Sequence, residues 1–314
     1  MRQVILDFPK QFRVGLRAAE DCKILNFEFR ASNLIICGMG GSALPADILK
    51  ILLANRQISI HRDYGLPSQV EKNTLIICIS YSGNTEETLS AFEEARKKRL
   101  KIAAIASGGK LAELCEKYNI PVAIIPKGYQ PRMALGFQFA ALCGLLGVSL
   151  KDISALENLL KPHSLEMQGK KIAEKLSNKI PLIYASRKFK NLARIWKIKF
   201  NENSKIPAFH NYFPEMNHNE LVGFTSLGER FSAIILKDRT DNPRILKRMK
   251  IFYEILKLKK IQTQFIDISG KNILYKIFNN ILLSDWVSYY LALQYKIDPT
   301  PVGLNDEFKK RLIE

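Results

Sequence analysis

The chain has 314 residues, 47% of them hydrophobic and 25% charged, which is the composition of a soluble globular protein with room for two domains of ordinary size. Forty-eight Lys and Arg against 30 Asp and Glu leave a net charge of +18, but the bases are scattered, so a Lys/Ile-rich proteome accounts for the excess better than a nucleic-acid partner does. The five cysteines, at 22, 37, 78, 115 and 143, are odd in number and lack a CxxC pair, which excludes a disulfide scaffold and fits free thiols in a reducing cytosol.

Taken in chain order, residues 1–30 are expected to form one or two helices leading into a sheet. MRQVILDFPK carries no signal-peptide pattern, and the segment is too short for a separate DNA-binding domain. Asn33–Cys37 has the pattern of a short buried strand and ends in Gly38-Met39-Gly40-Gly41-Ser42, ahead of an apolar helix over about 43–53 with Pro45 in its first turn. GxGGS is not GxGxxG, so no nicotinamide site is expected, and no other cofactor is implied.

Ile58–His61, Leu75–Ser80, Lys101–Ala106 and Pro121–Pro126 follow as strand candidates, with helices near 84–98 and 110–118 between the later ones. Leu75–Ser80 is apolar throughout, as in a strand buried on both faces of a parallel sheet. It breaks into Ser80-Tyr81-Ser82-Gly83-Asn84-Thr85, where Gly83 permits a sharp turn and Asn84 with Glu87 forms an expected N-cap pair. A strand, a hydroxyl-rich turn and a helix start suit a phosphate monoester; an ordinary βα turn with a good cap fits this stretch as well. Arg132 then precedes an apolar core helix over 133–147, which Gly136 and Gln138 interrupt and which is too short for a comfortable membrane span.

A helical stretch over about 152–177 bridges to a second half. Lys179–Ser186 reads as a strand, and 188–203 as a helix with Phe189, Leu192, Trp196 and Phe200 on one face, ending at Asn201-Glu202-Asn203-Ser204-Lys205. Ile206–His210 and the loop 214–220 come next, then a strand over 231–237, a basic amphipathic helix over 243–257, a strand over 261–268 and a long apolar helix over 273–296. Asp298–Val302 is an extended linker, and Asn305 is expected to cap a last helix carrying Lys309, Lys310 and Arg311. Strand–helix alternation therefore runs twice, giving an α/β fold with domains over 1–150 and 151–314. The four histidines, at 61, 163, 210 and 218, show no metal spacing, so no metal is expected.

GMGGSA at 38–43, SYSGNTEETL at 80–89, PRMALGF at 131–137, NENSKIPAF at 201–209, PEMNHNELVGF at 214–224 and DPTPV at 298–302 lie in one order over nearly the full length. Together they resemble the bifunctional phosphoglucose/phosphomannose isomerases of the sugar isomerase (SIS) superfamily. SYSGNTEET alone indicates only the SIS fold, and the NENSKIPAF and PEMNHNE pair points to this family. Leu44-Pro45 stands where the family more often has smaller residues. The resemblance implies two SIS subdomains, each a doubly wound, mostly parallel five-stranded sheet flanked by helices, in a cytoplasmic homodimer with the active site at its interface.

It also implies the chemistry, an aldose–ketose isomerisation of sugar 6-phosphates that needs no metal, cofactor, membrane or nucleic acid. Ser42, Ser80, Ser82 and Thr85, with the N–H groups of Gly40, Gly41 and Gly83, would hold the phosphate. Glu202 would carry the proton between C1 and C2, and Arg132 would stabilise the enediolate. His218 would open the sugar ring, reaching the partner's site, with Lys309 as the C-terminal active-site lysine, subject to a one-residue slip to Lys310. A non-catalytic SIS sugar-phosphate sensor is the alternative, disfavoured because such regulators carry a helix-turn-helix domain ahead of the fold.

Overall fold

The computed structural model describes residues 1–20, 22, 33–226 and 230–312. The chain divides into two compact units, an N-terminal unit of Asp7–Leu160 and a C-terminal unit in which Met1–Leu6 joins Lys161–Glu314. Helix α1 (Arg2–Leu6) thus belongs to the C-terminal unit, and the N-terminal unit opens with α2 (Lys10–Glu20).

In the N-terminal unit β1 (Leu34–Cys37), α3 (Leu44–Leu52), β2 (Ile58–His61), β3 (Leu75–Ser80), α4 (Glu86–Lys97), β4 (Lys101–Ala106), α5 (Gly109–Lys117) and β5 (Val122–Ile124) alternate. The five strands form one parallel sheet in the order β2-β1-β3-β4-β5, with Leu34 in register with both Ile58 and Leu75. All six residues of β3 are buried, as its unbroken apolar run requires of a central parallel strand covered on both faces. One face packs Ile35, Ile76 and Ala104 against Phe92 of α4 and Leu111 of α5. Beyond the sheet, α6 (Leu135–Leu146) is buried all round and is followed by α7 (Leu150–Leu159). Gln11, only 2% exposed, donates from Nε2 to Met133 O at 2.8 Å and accepts from Gly136 N at 3.0 Å, pinning the start of α6 to α2.

In the C-terminal unit α8 (Pro162–Leu176), β6 (Ile180–Ser186), α9 (Lys190–Lys199), β7 (Phe209–Phe213), α10 (Met216–Asn219), β8 (Phe231–Lys237), α11 (Pro243–Leu258), β9 (Gln262–Asp267), α12 (Ile273–Gln294) and α13 (Gly303–Arg311) follow. Its parallel sheet runs β7-β6-β8-β9. Among the described residues this sheet has four strands, not the five expected for each half, because after β9 the chain enters the 22-residue α12 directly. Tyr184 and Ile235 pack on Met249, Phe252 and Leu256 of α11.

Several local expectations are corrected. The single helix over 152–177 is two, because Pro162 opens α8 and the residues before it, Leu160 and Lys161, are forced out of the helical region. Asn84 does not cap α4; Thr85 stands at that position, and the Asn84 side chain accepts from Lys110 N at 3.0 Å, so it caps the neighbouring α5 instead. Asn305 lies inside α13, whose preceding residue is Val302. The stretch Ile206–His210, given no element type from the sequence, runs into a strand over Phe209–Phe213. All five cysteines are free; four are buried and Cys22 is half-buried. Burial pushes the Cys115 thiol up to about 12, so it is inert at neutral pH. No described helix is long and apolar enough to cross a membrane.

Candidate active site

In each sheet the chain leaves its first strand toward one side and its later strands toward the other, so a switch point lies between β1 and β3 and again between β6 and β8. Side chains beyond the carboxyl ends of strands at such a point face an open crevice. In the N-terminal unit both glycine- and serine-rich turns emerge there.

The two turns are tied to each other. Ser42, in the short 3₁₀ turn Gly40–Ala43, accepts from Tyr81 N at 3.0 Å. The second turn is closed by Ser80, whose Oγ accepts from Gly83 N at 3.1 Å and Thr85 N at 3.4 Å and donates to Thr85 Oγ1 at 2.9 Å. Ser42 and Ser80 are buried, whereas Ser82 is exposed and Thr85 half-exposed. Tyr81 braces the loop from behind, donating to Pro126 O and accepting from Tyr129 N, both at 2.9 Å. Burial also raises the Tyr81 phenol above its ordinary value, keeping it a neutral donor. The first N–H groups of α4 lack intrahelical partners, although Glu86 and Glu87 place two carboxylates in the same turn. Glu86 is drawn aside by the Tyr64 hydroxyl at 3.0 Å.

Arg132 joins the cluster through its backbone. A Cβ on Gly41 would stand 2.6 Å from Arg132 N, so only glycine lets the first loop lie against the Pro131–Met133 turn. The Arg132 side chain is fully buried, and Nη1 reaches Gln130 Oε1 at 3.5 Å. The N-terminal unit therefore collects Gly40, Gly41, Ser42, Ser80, Ser82, Gly83, Thr85 and Arg132 at one end of its sheet.

The C-terminal unit presents Glu202 on a π turn, Phe200–Ser204, that continues α9. Phe189, Leu192, Trp196 and Phe200 bury the inner face of this segment at no more than 1% exposure. Glu202 itself is half-buried and lines a cleft of about 600 Å³ with Lys205, Asp298, Pro301 and the start of α13. Lys205, in the left-handed region at φ 57°, ends the turn; its Nζ donates to Glu202 O and, at 3.3 Å, to Pro299 O. Asp298 is held below its ordinary value, chiefly by the Thr300 N–H at 2.8 Å.

His218 and Lys309 do not line that cleft. His218 is exposed on the one-turn α10, and Lys309 is exposed on α13 beside Lys310. The loop under His218 is anchored by Glu220, which accepts from Tyr184 Oη and, at 2.6 Å, from Asn211 Nδ2. Among the described residues no group of three His, Cys, Asp or Glu side chains could hold a metal ion.

Residues 165–312 match the bacterial phospho-glucose isomerase C-terminal SIS domain. Over its whole length the chain is 38% identical to a bifunctional phosphoglucose/phosphomannose isomerase of Caldicellulosiruptor bescii, 99% of which is covered. The chain belongs to the bifunctional phosphoglucose/phosphomannose isomerase family. A member from Aquifex aeolicus is 36% identical over 89% of this chain and 90% of its own length. Among solved structures, tagatose-6-phosphate ketose/aldose isomerase from Escherichia coli superposes with a TM-score of 0.72 over 95% of this chain and 93% of its own; at 14% identity this likeness shows the shared fold.

Family membership leaves two features of this chain that its motifs did not single out. Lys205 lies inside the NENSK segment, yet nothing in the sequence says that its amine would bridge the Glu202 carbonyl to the 298–302 linker. The bonds from Asn203 and Ser204 to Ser288 join residues 85 and 84 positions apart, which no local pattern reveals.

Proposed function

We propose that this protein interconverts glucose 6-phosphate, mannose 6-phosphate and fructose 6-phosphate through an enediolate, without a metal or cofactor. The observation that carries the reading is the identity of 38% to a bifunctional phosphoglucose/phosphomannose isomerase along essentially the whole of both chains.

The geometry of each unit supports a part of it. In the N-terminal unit, the backbone N–H groups of Gly40 and Gly41, with Ser82 and Thr85, offer donors to a phosphate, while Ser42 and Ser80 hold the loops in shape and the Gly83 N–H, expected to face the phosphate, is given to Ser80 instead. Arg132, always charged, supplies positive potential for an enediolate oxygen. In the C-terminal unit, the half-buried Glu202 carboxylate is the base, taking the proton from one carbon and returning it to its neighbour. The enediolate is planar at C2, so a proton returned to either face yields glucose or mannose 6-phosphate. His218 opens the ring from a second copy of the chain in a homodimer, and Lys309 assists at the ring oxygen.

Purified protein supplied with fructose 6-phosphate in the presence of EDTA should produce both aldose phosphates. Glu202→Gln should lower kcat by roughly 10²–10⁴-fold. Undiminished turnover by that variant in a coupled assay removes Glu202 from the role of base, and the appearance of neither aldose removes the whole reading.

A further inference from the structure

The π turn that carries Glu202 is held by a row of polar contacts to α12 that the reaction itself does not use. Trp196 Nε1 donates to Asn280 Oδ1 at 2.8 Å. One turn on, Lys199 Nζ lies 2.7 Å from Asp285 Oδ1, with both side chains about 1% exposed. At the turn itself Asn203 Nδ2 donates to Ser288 Oγ at 2.9 Å, and Ser204 Oγ donates to Ser288 O at 2.7 Å. Ser288 in turn donates its proton to Ser284 O at 2.8 Å. Asn203, Ser204 and Ser288 are each 0% exposed.

A π turn is rare and occurs mostly as a single turn within an α-helix, so contacts outside it are needed to favour it over the α register. If this segment relaxed to a regular α-helix, residue 202 would rotate by roughly 100° for each residue of slip, carrying its carboxylate away from its present direction. Buried Asn203 and Ser204 hold the inward register, which leaves Asn201 and Glu202 facing the 600 Å³ cleft.

We infer that Ser288, through its hydrogen bond from Asn203, is a positioning residue that fixes the direction of the Glu202 carboxylate for proton transfer. The inference rests on the reading of Glu202 as the base. Ser288 touches no substrate; its hydroxyl selects the π register, and the register aims the carboxylate. A misplacement on the order of 1 Å costs about 10²-fold in rate, so the effect of losing the bond falls on kcat.

The experiment compares Ser288→Ala, Ser288→Thr, Ser284→Ala and Glu202→Gln in the full-length protein, with steady-state kinetics on fructose 6-phosphate and thermal unfolding for each. Ser284 is a buried serine one turn earlier on α12 whose hydroxyl bonds only within its own helix, to Ile281 O, and it serves as the control. Ser288→Ala is expected to lower kcat roughly 10- to 100-fold with KM within about twofold of wild type. Ser288→Thr, which keeps the hydroxyl, should restore most of kcat, and Ser284→Ala should leave it unchanged. If Ser288→Ala fails to fold, Asn203→Ala removes the same bond from the other side and is read the same way. Wild-type kcat in Ser288→Ala beside an inactive Glu202→Gln overturns the inference and leaves the base in place. An equal loss in Ser284→Ala overturns it as well, since the effect is then one of helix stability. Wild-type turnover in Glu202→Gln overturns both the reading and the inference.

Discussion

A side chain at position 83 would have to share space with the Gly108 carbonyl, because an ideal Cβ there lies 1.8 Å from that oxygen. The backbone at Gly83 is also left-handed, at φ +73°, so strain adds to the collision. Gly83→Ala is therefore expected to cost at least about 2–3 kcal/mol in urea unfolding, whereas Ser82→Ala, at an exposed neighbour, should stay within about 0.5 kcal/mol of wild type. Equal midpoints for the two variants would show that the loops can part without penalty. Glu166 gives a residue-scale prediction in pH. The Arg2 guanidinium, bonded to it at 2.7 and 2.8 Å, holds its carboxyl down to about 2, and Tyr290 and His163 add to the effect. A carboxyl whose folded value is depressed stabilises the fold above its unfolded value, roughly 4.3, and the contribution is lost as pH falls toward about 2. The stability gap between wild type and Arg2→Ala should accordingly be full at neutral pH and close across that window. A gap that stays constant into strong acid would refute this assignment.

At the scale of elements, α9 and α12 share a buried ion pair whose two members differ in consequence when removed singly or together. Lys199→Met leaves the Asp285 carboxylate buried without its ammonium, a loss of roughly 3–5 kcal/mol. Lys199→Met with Asp285→Leu removes both charges and fills the space with apolar atoms, so the double variant is expected to unfold at higher denaturant than either single one. Additive losses in the double variant would contradict this. The same pair marks the limit of what was legible from sequence. The β strands and glycine turns announce themselves because an unbroken apolar run such as Leu75–Ser80 and a Ser-Gly turn are local statements about burial and backbone freedom. The role of Asn84 is not legible locally, because its side-chain oxygen serves Lys110, which comes 26 residues later. The π turn and its lock on Ser288 leave no local signal, because they depend on which helix packs behind Glu202. The split at Pro162 was legible in principle, since a proline at the first helical position forbids continuity with the residues before it.

For the whole molecule, the two units repeat one topology with opposite chemistry at their switch points. The N-terminal sheet ends there in Gly40, Gly41 and the hydroxyl turn, while the C-terminal sheet ends in Ser186 and the carboxylates of Asp238 and Asp241. Burial raises the Asp241 carboxyl above its ordinary value, and its Oδ1 accepts from Ser186 at 2.8 Å. On the proposed reading the phosphate is held at the first switch point, whereas the second carries two carboxylates, Asp238 paired with Lys276 at 2.8 Å, so duplication of the fold does not duplicate the proposed site. The proposed chemistry instead draws its remaining groups from Glu202 and from His218. Glu202 lines its cleft, which His218, exposed on α10, does not. If His218 serves a second copy of the chain, each site in a homodimer takes Glu202 from one protomer and His218 from the other. Glu202→Gln and His218→Ala homodimers should then both be nearly inactive. Co-expression of the two variants should restore about a quarter of wild-type activity, because about half of randomly paired dimers are mixed and each of those carries one intact site. If both residues served the same protomer, the mixed dimer would hold no intact site and the mixture would be as inactive as its parents.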